Sequence, residues 1–207
     1  YGGAISFDAR LQSDGERQRL RFDGNARDLA LGDLPGGDAA SALLRGETEL
    51  FAEAMIEGDR ISLLEATIDG PQIALSAAGL WSDAETDLDV TLSQLDIAGT
   101  MPGASGRLRG DVRVTGDDQA RRMALDVTSD GSLRTGIAQI DPIIGGTLQL
   151  SAAATLGADG AFAIEAARLT TQSLTVTAEG QQAADGAANF AMTGAIDTLA
   201  HAVQGID

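Results

Sequence analysis

The chain has 207 residues, of which 43% are hydrophobic and only 3% aromatic, and its formal net charge is -17. The hydrophobic content is too high for a disordered polyanion, and the negative charge disfavours nucleic acid as a partner because it repels phosphates. Cysteine is absent, which excludes disulfides and thiolate metal sites.

Apolar and polar residues alternate with a period of two along most of the chain, which predicts half-buried β-strands. The first predicted strand carries Ile5, Phe7, Ala9 and Leu11 on one face. Further strands are predicted, in chain order, over 18–23, 47–56, 60–68, 72–79, 86–93, 107–115, 122–129, 146–156, 161–169, 173–179 and 187–194. No break in composition divides the chain, so residues 1–207 are expected to be one repeat segment. Residues 1–7 already alternate like a strand and do not form a signal peptide, so the segment is expected to be a fragment of a longer chain.

Several Asp-Gly dipeptides lie between these strands and predict tight hairpins, since both residues tolerate positive φ. They are Asp14-Gly15, Asp69-Gly70, Asp130-Gly131, Asp159-Gly160 and Asp185-Gly186. Proline-containing segments at 33–37, 100–103 and 141–142 predict crossings between strands, because proline cannot donate to a strand ladder. Short helices are predicted at 38–44 and 197–204.

Residues 66–79 and 167–180 follow one pattern that begins on alanine and ends on glycine. Glycines also begin three similar strand segments, at Gly46, Gly110 and Gly146. Such repeats indicate stacked units, because one unit cannot bury its apolar side alone. The predicted fold is therefore all-β: an elongated, mostly antiparallel curled sheet, solenoid-like, with an apolar inner groove.

The groove is expected to be lined by the apolar positions of the central and later strands. These are Leu88, Val90, Leu92, Val112, Val114, Leu125, Val127, Leu148, Leu150, Phe162, Ile164, Leu174 and Val176. Acyl chains would gain about 0.8 kcal/mol per buried CH₂ there without directional contacts. Two sheet faces that close on each other as a dry sandwich would produce the same alternation.

The sequence offers little for catalysis. His201 is the only histidine, and a triad with Ser41 or Ser105 lacks the Gly-x-Ser-x-Gly motif. The many carboxylates alternate with apolar residues as solvated strand positions do, and no calcium-loop spacing occurs. The chain is therefore predicted not to be an enzyme, with no cofactor and no metal.

Together, the glycine-led strand starts, the copies that end at Gly79 and Gly180, and the linker 95–99 resemble the repetitive middle region of the TamB family of the AsmA-like group. The resemblance implies a β-taco fold in the periplasm, within an envelope protein anchored in the bacterial inner membrane by an N-terminal helix. It also implies contact with a TamA-like outer-membrane barrel through a C-terminal region. Both membrane-proximal parts are expected to lie outside this segment.

The leading hypothesis is a non-enzymatic segment of an inner-to-outer membrane bridge that carries phospholipid acyl chains along its groove and supports outer-membrane biogenesis. An alternative is a scaffold or chaperone for the assembly and secretion of outer-membrane β-barrel proteins through strand-edge pairing. A third is an extracellular adhesin or passenger solenoid with a closed core.

Overall fold

The computed structural model describes residues 2–30, 41–98 and 103–196, and these residues form one sheet of twelve strands. The strands are β1 (Gly2–Asp14), β2 (Arg17–Ala30), β3 (Glu47–Glu57), β4 (Arg60–Asp69), β5 (Ile73–Trp81), β6 (Thr86–Asp96), β7 (Arg107–Gly116), β8 (Ala120–Ser129), β9 (Leu148–Gly157), β10 (Phe162–Thr171), β11 (Leu174–Gln182) and β12 (Ala188–Ile196). A short helix, α1 (Asp141–Ile144), lies between β8 and β9.

The strands are arranged in sequence order, and each pairs antiparallel with the next. The sheet is open, with β1 and β12 as its two edges. The prediction of an all-β, antiparallel fold is confirmed, and each predicted strand corresponds to one observed strand. The largest boundary difference is in β2, which continues to Ala30.

The pairing registers divide the side chains between two faces of the sheet. Val90 on β6, for example, lies opposite Ala77 on β5 and Val112 on β7. Three such rows of directly paired residues cross all twelve strands without a polar residue, and they define what we call the apolar face. The opposite side, which carries most of the strand arginines and carboxylates, is called the polar face.

The middle row is Ala9, Phe22, Ala52, Ala66, Ala77, Val90, Val112, Leu125, Ala152, Ala167, Ala178 and Met192. On one side of it run Phe7, Gly24, Leu50, Ile68, Leu75, Leu92, Gly110, Val127, Leu150, Leu169, Val176 and Gly194. On the other side run Leu11, Leu20, Ala54, Leu63, Gly79, Leu88, Val114, Met123, Ala154, Ile164, Gly180 and Phe190.

The two ends of the strands differ. Tight turns join β1 to β2, β3 to β4 and the later pairs at what we call the hairpin end, whereas the long connections lie at the opposite, crossover end. Of the five buried hydrophobic residues among those described, Ala42, Ala104, Leu133 and Ile144 belong to these long connections. The buried core is therefore small and lies at the crossover end.

The connection 130–147 corrects one turn prediction. Asp130-Gly131 does not close a tight hairpin, because the chain continues past it and places Leu133 in the core. The segment is held there by a bridge between Ser105 and Arg134 and by a hydrogen bond from the Leu133 N–H to the Gly146 carbonyl. The other four Asp-Gly dipeptides lie at turns between consecutive strands, as predicted.

The helix and linker predictions have mixed outcomes. Residues 41–43 are helical, and residues 38–40 and the predicted helix 197–204 lie outside the described residues. So do residues 33–37 and most of 100–103. The crossing at Asp141-Pro142 does connect two strands, but these residues begin α1, with Pro142 in its first turn, where proline is well tolerated.

The internal repeat extends well beyond the two matching stretches. Both stretches form hairpins with one register: Ala66 lies opposite Ala77 as Ala167 lies opposite Ala178. Each hairpin also has a β-bulge at the same place, between Leu63 and Ala66 or between Ile164 and Ala167. Continuing the match strand by strand relates β1–β6 to β7–β12, so the sheet consists of two six-strand units.

Candidate functional site: the apolar face

All thirteen predicted lining residues lie on the apolar face. Ten belong to the three complete rows, and Leu148, Phe162 and Leu174 extend the same side of β9, β10 and β11. Every one of the thirteen is half-buried. Side chains sealed in a dry sandwich would be buried, so the described residues do not form a closed two-layer core.

The apolar face is wider than predicted, because it continues to both edges of the sheet. The sequence interpretation left out Phe7, Leu11, Leu20, Leu50, Ile68, Leu75, Trp81, Met123, Leu156, Leu169, Phe190 and Met192. Most of these residues lie in predicted strands with the correct alternation. Bulges in β4, β6 and β10 shift that alternation by one residue, which hides the continuity of the rows in the sequence.

Exposure differs widely from place to place on the apolar face. Ala26, near the crossover end of β2, is 1% exposed, whereas Leu11 and Leu156 near the hairpin end are 62% and 51% exposed. Ile5, which lies opposite Ala26, is nevertheless exposed, and Thr86 at the hairpin end is buried. Exposed apolar side chains such as Leu11 and Leu156 are therefore the parts of this face that a ligand can reach.

Arg121 is the one charged residue at a regularly paired position of this face among the described strands. Its guanidinium carbon lies 4.4 Å from the centre of the Trp81 ring, and its Nε–H points to Thr86 Oγ1 at 3.5 Å. Trp81, Thr86, Gly116 and Arg121 occupy one row near the hairpin end. The Arg121 side chain on β8 thus crosses β7 and β6 to contact the Trp81 ring on β5. It places a positive charge on the apolar face.

The polar face is held by ion pairs. Glu53 is buried between two arginines: Arg19 donates to it through Nε at 2.7 Å, and an Arg21 nitrogen lies 3.8 Å away. On β7, Arg113 contacts Asp87 at 2.9 Å and Asp89 at 3.7 Å. A hydrogen bond and the negative charge from Asp87 raise the pKa of Arg113 above its usual value. Glu53, Asp87 and Asp89 are therefore paired with arginines, whereas a pair of catalytic carboxyl groups would have to be free to exchange protons with a substrate.

A concavity of about 770 Å³ lies on the polar face. Polar-face side chains from six strands line most of it: Ser6, Asp8, Asp23, Asn25, Glu49, Phe51, Thr67, Asp69, Ala74, Ser76 and Ser93. None of the thirteen predicted lining residues contributes to it. This concavity and the apolar face are thus on opposite sides of β1–β6, and the predicted apolar groove remains a prediction.

The residues considered for chemistry are not assembled into a site in the part of the chain that the structure describes. His201 lies outside it, and Ser105 is exposed and forms an isolated bridge with Arg134. Within the described ranges no three metal-binding side chains come together, and no helix is both long and apolar enough to cross a bilayer.

Comparison with known proteins found no match to a family model, to a curated protein or to a solved structure. The apolar face must therefore be understood from its own residues and geometry.

Proposed function

We propose that this chain is a non-enzymatic carrier segment on whose apolar face phospholipid acyl chains lie. The observation that carries the proposal is the set of three uninterrupted apolar rows across twelve strands, whose large side chains are half-buried or exposed. Contiguous apolar surface of this extent on a folded chain indicates a binding surface. The TamB-like pattern of the sequence supports a place in a periplasmic bridge between inner and outer membranes.

The dimensions of the sheet suit acyl chains. Twelve strands at a spacing of about 4.8 Å extend roughly 50 Å, which exceeds the ~30 Å hydrocarbon thickness of a bilayer. Small residues predominate in the middle row, where Ala52, Ala66 and Ala77 follow one another across three strands. Leu50, Ile68 and Leu75 flank these alanines on one side. In the proposed arrangement an acyl chain lies along the middle row beside them.

The hairpin end supplies contacts for a lipid head group. Trp81 combines a large apolar ring with a polar N–H, as side chains at membrane interfaces do. Arg121 beside it can donate hydrogen bonds to a phosphate. In the proposed arrangement the acyl chains lie along the rows, and the head group lies beside Arg121 at the hairpin end.

Native mass spectrometry of the purified chain tests the proposal through co-purified lipid. Val90→Arg places a charge in the middle row, and we expect it to abolish lipid recovery and lipid photo-crosslinking. Thr91→Arg is the matched control, because it adds the same charge one residue further on, where Thr91 donates to Asp111 on the polar face. Equal lipid recovery from wild type and both folded variants would refute the proposal.

A second candidate is a scaffold that pairs its sheet edges with strands of outer-membrane β-barrel proteins. The observation that favours it is that neither β1 nor β12 has a partner on its outer side among the described residues. This candidate predicts crosslinks from β1 or β12 to unfolded barrel proteins, with little lipid recovered.

A further inference from the structure

The two six-strand units meet at the pairing of β6 with β7, which we call the junction. There Leu88 lies opposite Val114, Val90 opposite Val112 and Leu92 opposite Gly110. On the polar side of the same strands, Thr91 Oγ1 donates to Asp111 Oδ1 at 2.8 Å. The junction shows how the last strand of one unit accepts the first strand of the next.

Each of the two junction strands, β6 and β7, has an equivalent strand in the other unit, and that equivalent lies at an edge of the sheet. Gly79 pairs with Leu88 as Gly180 pairs with Phe190, so β12 occupies the position of β6 in its unit. On the other side, Leu50 follows Gly24 and Phe7 across the sheet as Leu150 follows Val127 and Gly110. The first strand, β1, is therefore equivalent to β7.

We propose that the β12 edge of one molecule pairs antiparallel with the β1 edge of a second copy of this chain, in the register of the junction. That register places Phe190 opposite Leu11, Met192 opposite Ala9 and Gly194 opposite Phe7. The apolar faces of the two copies then form one continuous surface.

The side chains on both edges fit this pairing. Met192 is 79% exposed and Phe7 is 67% exposed, so both lose apolar area when they are covered. Gly194 has open space beside it, because a Cβ there would meet nothing closer than Val176 Cγ2 at 3.9 Å. Phe7 opposite Gly194 then repeats the large-against-small arrangement of Leu92 opposite Gly110.

The polar side of the edges fits as well. The same register places Thr193 opposite Asp8, which reproduces the Thr91–Asp111 hydrogen bond of the junction. Ala191 would face Arg10, so no like charges oppose each other. The contact is head-to-tail, and it leaves a free β1 and a free β12 at the ends, so dimers would extend into longer chains.

The absence of cysteine allows a direct crosslinking test. In the lipid-free chain, Ala9→Cys with Met192→Cys should give a ladder of intermolecular disulfides under mild oxidation. Val90→Cys with Val112→Cys is the matched positive control, because it should form the intramolecular bridge at the junction. Asp8→Cys with Met192→Cys, whose side chains would lie on opposite faces, should crosslink at least roughly tenfold more slowly.

Sedimentation gives an independent readout. Wild type should associate with increasing concentration, and Met192→Lys, which puts a charge on an exposed edge position, should weaken this association roughly tenfold. Equal crosslinking rates for the two intermolecular cysteine pairs, or a monomer at every concentration with the junction control bridged, would overturn the proposal. Because the experiment uses no lipid, its outcome is independent of the proposed lipid function.

Discussion

Val90 on β6 lies directly opposite Val112 on β7, and this pair joins the two six-strand units in the middle row of the apolar face. Both side chains are half-buried, although they lie near the centre of a twelve-stranded sheet. The centre of the sheet therefore offers apolar surface where a sandwich would have its core.

The neighbouring apolar pair of the junction, Leu92 opposite Gly110, predicts an effect on the free energy of unfolding. A Cβ on Gly110 would lie 2.2 Å from the Asp126 carbonyl oxygen, which belongs to the backbone of β8. We expect Gly110→Ala to destabilise the fold by about 2 kcal/mol, because a strand must shift to accommodate the methyl group. Thermal unfolding should show a fall in Tm of roughly 5 °C.

Gly194→Ala is the control for this prediction, since it adds the same methyl group to the apolar face where there is space. Its free energy of unfolding should stay within about 0.5 kcal/mol of wild type. Similar losses in both variants would mean that the close approach at Gly110 is not what constrains the β7–β8 pair.

The buried carboxylate on the polar face predicts a second difference. Glu53→Gln removes the negative charge between Arg19 and Arg21, and we expect a loss of about 2 kcal/mol in urea unfolding. Glu47→Gln breaks the exposed pair with Arg27 and should cost less than about 0.5 kcal/mol. If both substitutions lower the free energy of unfolding equally, the burial of Glu53 does not strengthen its ion pairs with Arg19 and Arg21.

Asp141 predicts a pH dependence of stability. Its Oδ1 accepts hydrogen bonds from the Thr135 N–H at 2.6 Å and the Thr135 hydroxyl at 2.7 Å, and these bonds lower the pKa of Asp141 below its usual 3.8. A carboxylate with a lowered pKa stabilises the folded state above its unfolded pKa, and this stabilisation is lost as the pH falls through the folded pKa. The connection 130–147 should therefore loosen below about pH 4.

Asp141→Asn checks this assignment. The variant should be less stable than wild type at pH 7, and the difference should shrink as the pH falls below about 4, where wild type loses the charge as well. Urea titrations at several pH values, with hydrogen exchange at residues 130–147, measure both effects. A stability difference that is constant from pH 7 to pH 2 would show that the charge of Asp141 has no part in it.

The strands were predictable because each one carries its own alternation. The sequence of β6, for example, predicts a strand because polar residues separate Leu88, Val90 and Leu92. Its partners were harder to assign, since pairing depends on bulges such as that between Leu92 and Leu95, which alternation does not reveal. The three apolar rows emerge only when the registers are known.

The crossover end was the least predictable region. Leu133 and Ile144 are buried there without any period in the sequence around them. Pro142 predicted a crossing between strands, yet proline also fits the first turn of a helix, and the residues that follow it adopt that helix. The contact of Arg121 with Trp81 was equally hidden, because it joins residues on strands β5 and β8.

The most direct test of the central claim uses Trp81, the single tryptophan of the chain, which lies on the apolar face and is 42% exposed. Phospholipids with brominated acyl chains should quench its fluorescence on binding. The matched control, Leu80→Trp with Trp81→Phe, moves the ring to the polar face one residue away and should lose the quenching. Equal quenching in both proteins, or none in wild type that retains bound lipid, would contradict acyl chains on the apolar face.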